Sequence, residues 1–177
     1  MKSMEELHHL PIERGAPGET GCCPRFQPEG WDGKIFNLEG LPMIKVSARS
    51  ILYIPWNIGG VMRKSMERIA AAGMEDPEGY LVLARDLSPW QCEYYFLTKG
   101  QVPEEENVLL KGRFLAKVFE GDYSAMRGWM KELNQEAEEL GYGIRNTYAF
   151  YTTCPKCAKA YGKNYVVLLG ELGEIYC

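Results

Sequence analysis

The segment from Met126 to Leu140 constrains this chain most. Met126, Trp129, Met130, Leu133, Ala137 and Leu140 recur at helical spacing, while Lys131, Glu132, Gln135, Glu136 and Glu139 fill the other side. One stripe must therefore be buried and the other face water. Asp122 or Ser124 supplies an N-cap, and Gly141 a stop. Around this helix, residues 111–171 read as an apolar strand (114–119), a turn at Glu120-Gly121-Asp122, the helix, a strand (147–152), a Cys-Pro-Lys-Cys turn and a last strand (165–172).

The same signals recur when the sequence is shifted by about 64 positions. Met62, Arg63, Met66 and Ile69 then overlie Met126, Arg127, Met130 and Leu133. This predicts a shorter helix over 60–72, preceded by a strand over 44–54 and followed by strands over 80–85 and 92–98. The expected fold is α+β: duplicated βαββ units with pseudo-two-fold symmetry, forming an antiparallel sheet with two helices packed on one side. A chain of 177 residues has room for one good core, so one domain is expected. Residues 1–39 read as an N-terminal arm and a loop rich in Cys, Pro and aromatics. Residues 40–177 hold repeat one (40–104) and repeat two (108–172), joined by the acidic, solvated linker Gln101-Val-Pro-Glu-Glu-Glu-Asn107.

A strand ending in Phe119-Glu-Gly-Asp-Tyr123, a helix with Trp129 a few residues on, and a following strand with Tyr148 and Tyr151 resemble the GyrI-like family of small-molecule (effector) binding domains. The resemblance covers roughly residues 40–172. It implies a stand-alone domain with a ligand cleft between two βαββ repeats, lined by aromatics and a carboxylate. It also implies that some relatives hydrolyse reactive small molecules. No helix-turn-helix precedes the domain, which argues against a transcription regulator.

Net charge is −4 and the basic residues are scattered, so no electrostatic footprint for nucleic acid exists. No apolar run nears the roughly 20 residues of a membrane span, and the first residues lack a signal-peptide core. The expected setting is cytoplasmic, with a small-molecule ligand as partner, neither nucleic acid nor membrane, and a monomeric or homodimeric state.

Six cysteines in a reducing compartment point to metal or thiol chemistry before disulfides. Cys154 and Cys157 form a Cys-x-x-Cys half-site on what reads as a strand-to-strand turn, and the vicinal Cys22 and Cys23 would complete a four-sulfur zinc site. The competing readings are turn and core thiols, or redox chemistry. Such a zinc ion would be structural, with no open position for water. Cys92 reads as core, Cys177 as terminal, and His8 and His9 as solvated residues of the arm.

The ligand contacts are expected from Trp56, at the first strand-to-helix corner, from Tyr123 at the matching second corner, and from Ser88-Pro-Trp90-Gln-Cys92-Glu93-Tyr94-Tyr95-Phe96. On a strand Trp90, Cys92, Tyr94 and Phe96 share one face and Gln91, Glu93 and Tyr95 the other. A carboxylate amid so much aromatic surface is costly to bury without a partner. Glu93 is therefore a candidate ligand-binding and catalytic group, Glu171 on the last strand a second catalytic candidate, and Tyr148 and Tyr151 further ligand contacts. The leading reading is a protein that binds an apolar or cationic aromatic small molecule. The alternatives are a hydrolase of a small reactive compound using Glu and Tyr residues, and a Cys-based zinc or redox protein. With both histidines in the arm and no Gly-x-Ser-x-Gly elbow, nucleophilic triads are disfavoured.

Overall fold

A computed structural model describes residues 6–12, 26–76, 81–152 and 155–175. The strands are β1 (Glu6–Leu7), β2 (Ile35–Ile51), β3 (Ile54–Pro55), β4 (Val82–Ser88), β5 (Gln91–Leu97), β6 (Glu106–Glu120), β7 (Gly143–Tyr151) and β8 (Tyr165–Gly173). The helices are α1 (Ile58–Ala71), α2 (Met126–Glu139) and α3 (Pro155–Tyr161). β2 with β3, β2 with β5, β4 with β5, β6 with β8 and β7 with β8 pair antiparallel, and β1 makes a short parallel contact with β2. Two compact units emerge, Gly40–Leu110 and Met1–Glu39 with Lys111–Cys177.

In the unit spanning Gly40–Leu110, β5 is the middle strand between β2 and β4. Its alternation decides both faces. Cys92, Tyr94 and Phe96 point to one side with Ile44, Val46, Ala48, Val82 and Ala84, and α1 covers them with Val61, Met62, Met66 and Ile69. The other side carries Lys45, Ser47 and Arg49 of β2, Gln91, Glu93 and Tyr95 of β5, and Arg85 of β4, as cross-strand partners. The helix thus takes one apolar face; the other mixes these polar residues with the buried Met43, Leu83 and Leu97.

In the other unit β8 is the middle strand between β6 and β7. The stripe Trp129, Leu133 and Ala137 of α2 packs on Leu115, Phe119, Ala149, Val166 and Leu168, with Phe119 and Trp129 stacked at 5.3 Å. Asp122 caps a short 3-10 turn (Tyr123–Ala125) that leads into α2, accepting a 2.8 Å hydrogen bond from the Ser124 N–H. Gly141, at φ 88, turns the chain after the helix in a conformation that glycine adopts freely. Trp31 is buried among the rings of Phe26, Phe36 and Phe150, so the loop is packed from Phe26 on. Asp32 accepts the Val118 N–H at 2.9 Å, tying that loop to β6.

The α+β class with a mostly antiparallel sheet stands; the unit spanning Gly40–Leu110 runs β2, β3, α1, β4, β5, and in the other unit α3 separates β7 from β8. Several expectations need correction. The helices number three among the described residues, because the segment after Cys154 forms α3 where a strand-to-strand turn was expected. The strand expected over 44–54 does not run to its proline. It turns at Leu52 and Tyr53 and returns as β3, pairing Ser50 with Pro55 and Ile51 with Ile54. The acidic linker is not wholly solvated: Val102 is buried, the Asn107 side chain bonds the Val102 N–H and C=O, and Glu106 already belongs to β6. No described helix is long and apolar enough to cross a membrane.

Candidate active site

Two groups of polar and aromatic side chains stand out in the Gly40–Leu110 unit. The first centres on Glu93, which is 8% exposed. The Tyr95 hydroxyl, two residues along the same face, donates to Glu93 Oε2 at 2.6 Å. Lys45 Nζ stands 3.7 Å from Oε1 and Arg85 NH1 3.8 Å from Oε2, ion-pair distances longer than a hydrogen bond. Lys45 also pairs with Glu106 at 3.0 Å. That hydrogen bond, opposed by desolvation and aided by the charge of Glu93, holds the ammonium above its ordinary 10.5. A carboxylate withdrawn from water needs such counter-charges to remain ionised. Between two cations and a phenol, it can take a proton from water while the cations face negative charge developing on a neighbouring oxygen.

The second group is a half-open pocket of about 520 Å³ at the outer end of β2 and β5, lined by Arg49, Ser50, Ile51, Trp56, Trp90 and Gln91. Backbone bonds set its walls. The Trp56 N–H donates to Arg49 O at 2.8 Å, the Ser50 N–H to Trp90 O at 2.9 Å and the Tyr53 N–H to Pro89 O at 3.0 Å. Arg49 and Gln91 are cross-strand partners, and the next pair inward on that face is Ser47 and Glu93. A two-residue step along a strand is about 7 Å, so the buried carboxylate lies one step inward from Arg49 and Gln91 on the same sheet face.

The family model described as bacterial hydrolase matches residues 15–172. The chain belongs to the bacterial hydrolase family. No curated protein matches it. The family match carries no GyrI-like assignment, so the resemblance of the Phe119–Tyr123 corner is not what identifies the chain.

In this bacterial hydrolase family member the expected site residues fall into separate groups. Trp56 and Trp90 meet at the pocket. Trp90, expected on the face of Cys92, Tyr94 and Phe96, instead precedes β5 in the turn after β4 and is exposed, freed from the α1 core by the irregular register after Asp86. Glu93 and Tyr95 share a face, as the alternation of β5 required. Glu171 lies in the other unit, on β8, where the Asn146 side-chain amide donates to its Oε2 at 2.8 Å. Tyr148 is buried, its ring edge-on to Phe114 at 6.1 Å. Tyr123 and Tyr151 meet edge to face at 5.1 Å, both partly exposed, and partial burial raises the Tyr123 phenol above its ordinary 10.0. Cys22, Cys23 and Cys154 lie outside the described residues. Cys157 is buried in α3, and among the described residues no group of three or more His, Cys, Asp or Glu is arranged to hold a metal.

Sequence reasoning missed Lys45, Arg85, Arg49 and Ser50. The period-two run Lys45, Ser47, Arg49 along an otherwise apolar strand was the available signal for a polar face.

Proposed function

We propose that the chain is a cytoplasmic hydrolase acting on a small, reactive, largely apolar compound, with Glu93 as general base. The observation that carries this reading is the buried Glu93 carboxylate held by the Tyr95 hydroxyl between Lys45 and Arg85; the family match supports it. Glu93 takes a proton from water as its oxygen attacks the electrophilic carbon. Arg85 and Lys45 stabilise the oxyanion, and as the bond to the leaving oxygen breaks, the proton held on Glu93 passes to that oxygen with Tyr95 orienting the exchange. Kinship with the GyrI-like domains remains part of the proposal, supported by the order β2, α1, β4, β5 in one unit and β6, α2, β7, β8 in the other, with β3 and α3 interposed.

Release of 4-nitrophenol from small 4-nitrophenyl esters tests the reading. The Glu93→Gln variant keeps the size and one acceptor of the side chain but cannot act as a base, and its turnover is expected to fall about 10²–10⁴-fold. Wild-type turnover in Glu93→Gln would overturn the assignment.

The other reading, a binder without turnover, has one observation in its favour: the two exposed indoles at the pocket. Recovery of every ester unaltered after long incubation with wild type would select it.

A further inference from the structure

The pocket carries chemistry that the hydrolysis step does not use. Trp56 and Trp90 are 66% and 56% exposed, a large solvent-facing indole area on walls otherwise held by backbone hydrogen bonds. Neither Arg49 nor the Gln91 side chain makes an ion pair or side-chain hydrogen bond among the described residues. Ser50 lines the same pocket at 3% exposure, and its hydroxyl has no partner. A buried hydroxyl without a partner is destabilising. The three polar side chains of the lining are thus all uncommitted, and the one charge among them is positive. The volume of about 520 Å³ lies in the range of small-molecule sites.

We propose that this pocket binds a planar aromatic carboxylate, as the recognition element of the substrate. Indole faces supply apolar area for a flat ring. The guanidinium fork matches a carboxylate bidentately, with Gln91 beside it as a further donor. A cationic aromatic would gain attraction from the indoles but meet Arg49 with no acid in the lining to offset it. Of the apolar or cationic aromatic ligand expected from the sequence, this keeps the aromatic ring and replaces the cation by an anion. The inference rests on the hydrolysis reading only for where the scissile bond lies, one cross-strand pair inward, at Glu93.

Calorimetric titration with 2-naphthoate, its neutral analogue 2-naphthamide and the cation 2-naphthylmethylammonium tests it on the full chain. Wild type is expected to bind the carboxylate about tenfold more tightly than the amide, and the ammonium most weakly. Arg49→Gln should erase the preference for the carboxylate and leave the amide affinity unchanged. Trp56→Ala should weaken carboxylate and amide alike, several-fold. Both positions are exposed, so neither variant threatens the fold.

Absence of saturable 2-naphthoate binding, equal affinity for carboxylate and amide in wild type, or a preference that survives Arg49→Gln would each overturn the proposal. Selectivity as expected, with ester turnover undiminished in Glu93→Gln, would uphold the pocket and sink the hydrolytic role of Glu93. Turnover lost in Glu93→Gln with no carboxylate preference would do the reverse.

Discussion

The two units each set a glutamate on the middle strand of their sheet, on the side away from their helix, and surround it differently. Glu93 on β5 is buried with Lys45, Arg85 and the Tyr95 hydroxyl. Glu171 on β8 is only partly buried; its partner is the neutral amide of Asn146, and its cross-strand neighbour on β6 is Phe114. Burial of a charge is tolerated in proportion to the charges that answer it. The more deeply withdrawn carboxylate has the two cations, and the one with access to water manages with an amide. The two middle strands thus carry one glutamate set between positive charges, and another whose surroundings ask only for a hydrogen bond.

The largest expected effect tests that contrast directly. Against the loss of about 10²–10⁴-fold in turnover expected for Glu93→Gln, Glu171→Gln should change kcat/KM by no more than about threefold. Steady-state kinetics on the same ester decide it. Equal losses in both variants would make the two carboxylates a functional pair and erase the distinction.

Next in size are the two helix stripes. Leu133 is fully buried in a stripe shared with Trp129 and Ala137, whereas Ile69 is buried beside Ser65 and partly covered methionines. Leu133→Ala and Ile69→Ala should each cost about 2–5 kcal/mol, Leu133 the more, because methionines adapt to a vacated volume and a ring beside a backbone does so less. Urea denaturation of both variants measures the difference.

How far these features were legible in the sequence follows the range of the interactions. The α2 stripe is set by spacing within one element, so Met126 to Leu140 announced it. The pairing of Tyr95 with Glu93 was legible for the same reason, since alternate strand residues share a face. Lys45 and Arg85 reach Glu93 only through strand pairing, and no local pattern in β5 points to them. The return of the chain at Leu52 and Tyr53 was hidden by chemistry: both stand at positive φ, 49 and 68, where hairpin turns ordinarily use Asn or Gly. Helix α3 was hidden by its length, since seven residues hold less than two full turns of pattern.

That turn supports a third comparison, with the end of α2. Both segments need left-handed backbone, but Gly141 meets the need with glycine and the β2–β3 turn meets it with Leu52 and Tyr53. Replacing Gly141 by Ala should lower stability by about 1 kcal/mol. The double replacement Leu52→Asn, Tyr53→Gly should raise it by about 1–2 kcal/mol. Thermal melts that move in the same direction for both changes would refute this account of the turn. The stabilised variant also bears on the pocket, since the replaced residues adjoin Ile51 in its wall; tighter backbone with weaker 2-naphthoate binding would mean that the apolar tip serves the ligand.

The smallest effect separates the starts of α1 and α2. Asn57 precedes α1 at φ 53 and its side chain makes no capping bond, while Asp122 caps the turn before α2 through the Ser124 N–H. The Ser124 backbone N–H, and then its side chain, hold the Asp122 carboxyl below its ordinary 3.8. A carboxyl lowered in the folded state stabilises fully above its unfolded pKa and loses that contribution as pH falls through the folded one. Asp122→Ala should therefore melt below wild type at pH 7, with the gap closing as the pH drops under 3.8. Asn57→Ala, which removes no titrating group, should show a gap that does not close in this way. A constant difference for Asp122→Ala down to the acid limit would mean that the residue acts through its backbone conformation alone, and the charged cap would cease to distinguish the two helices.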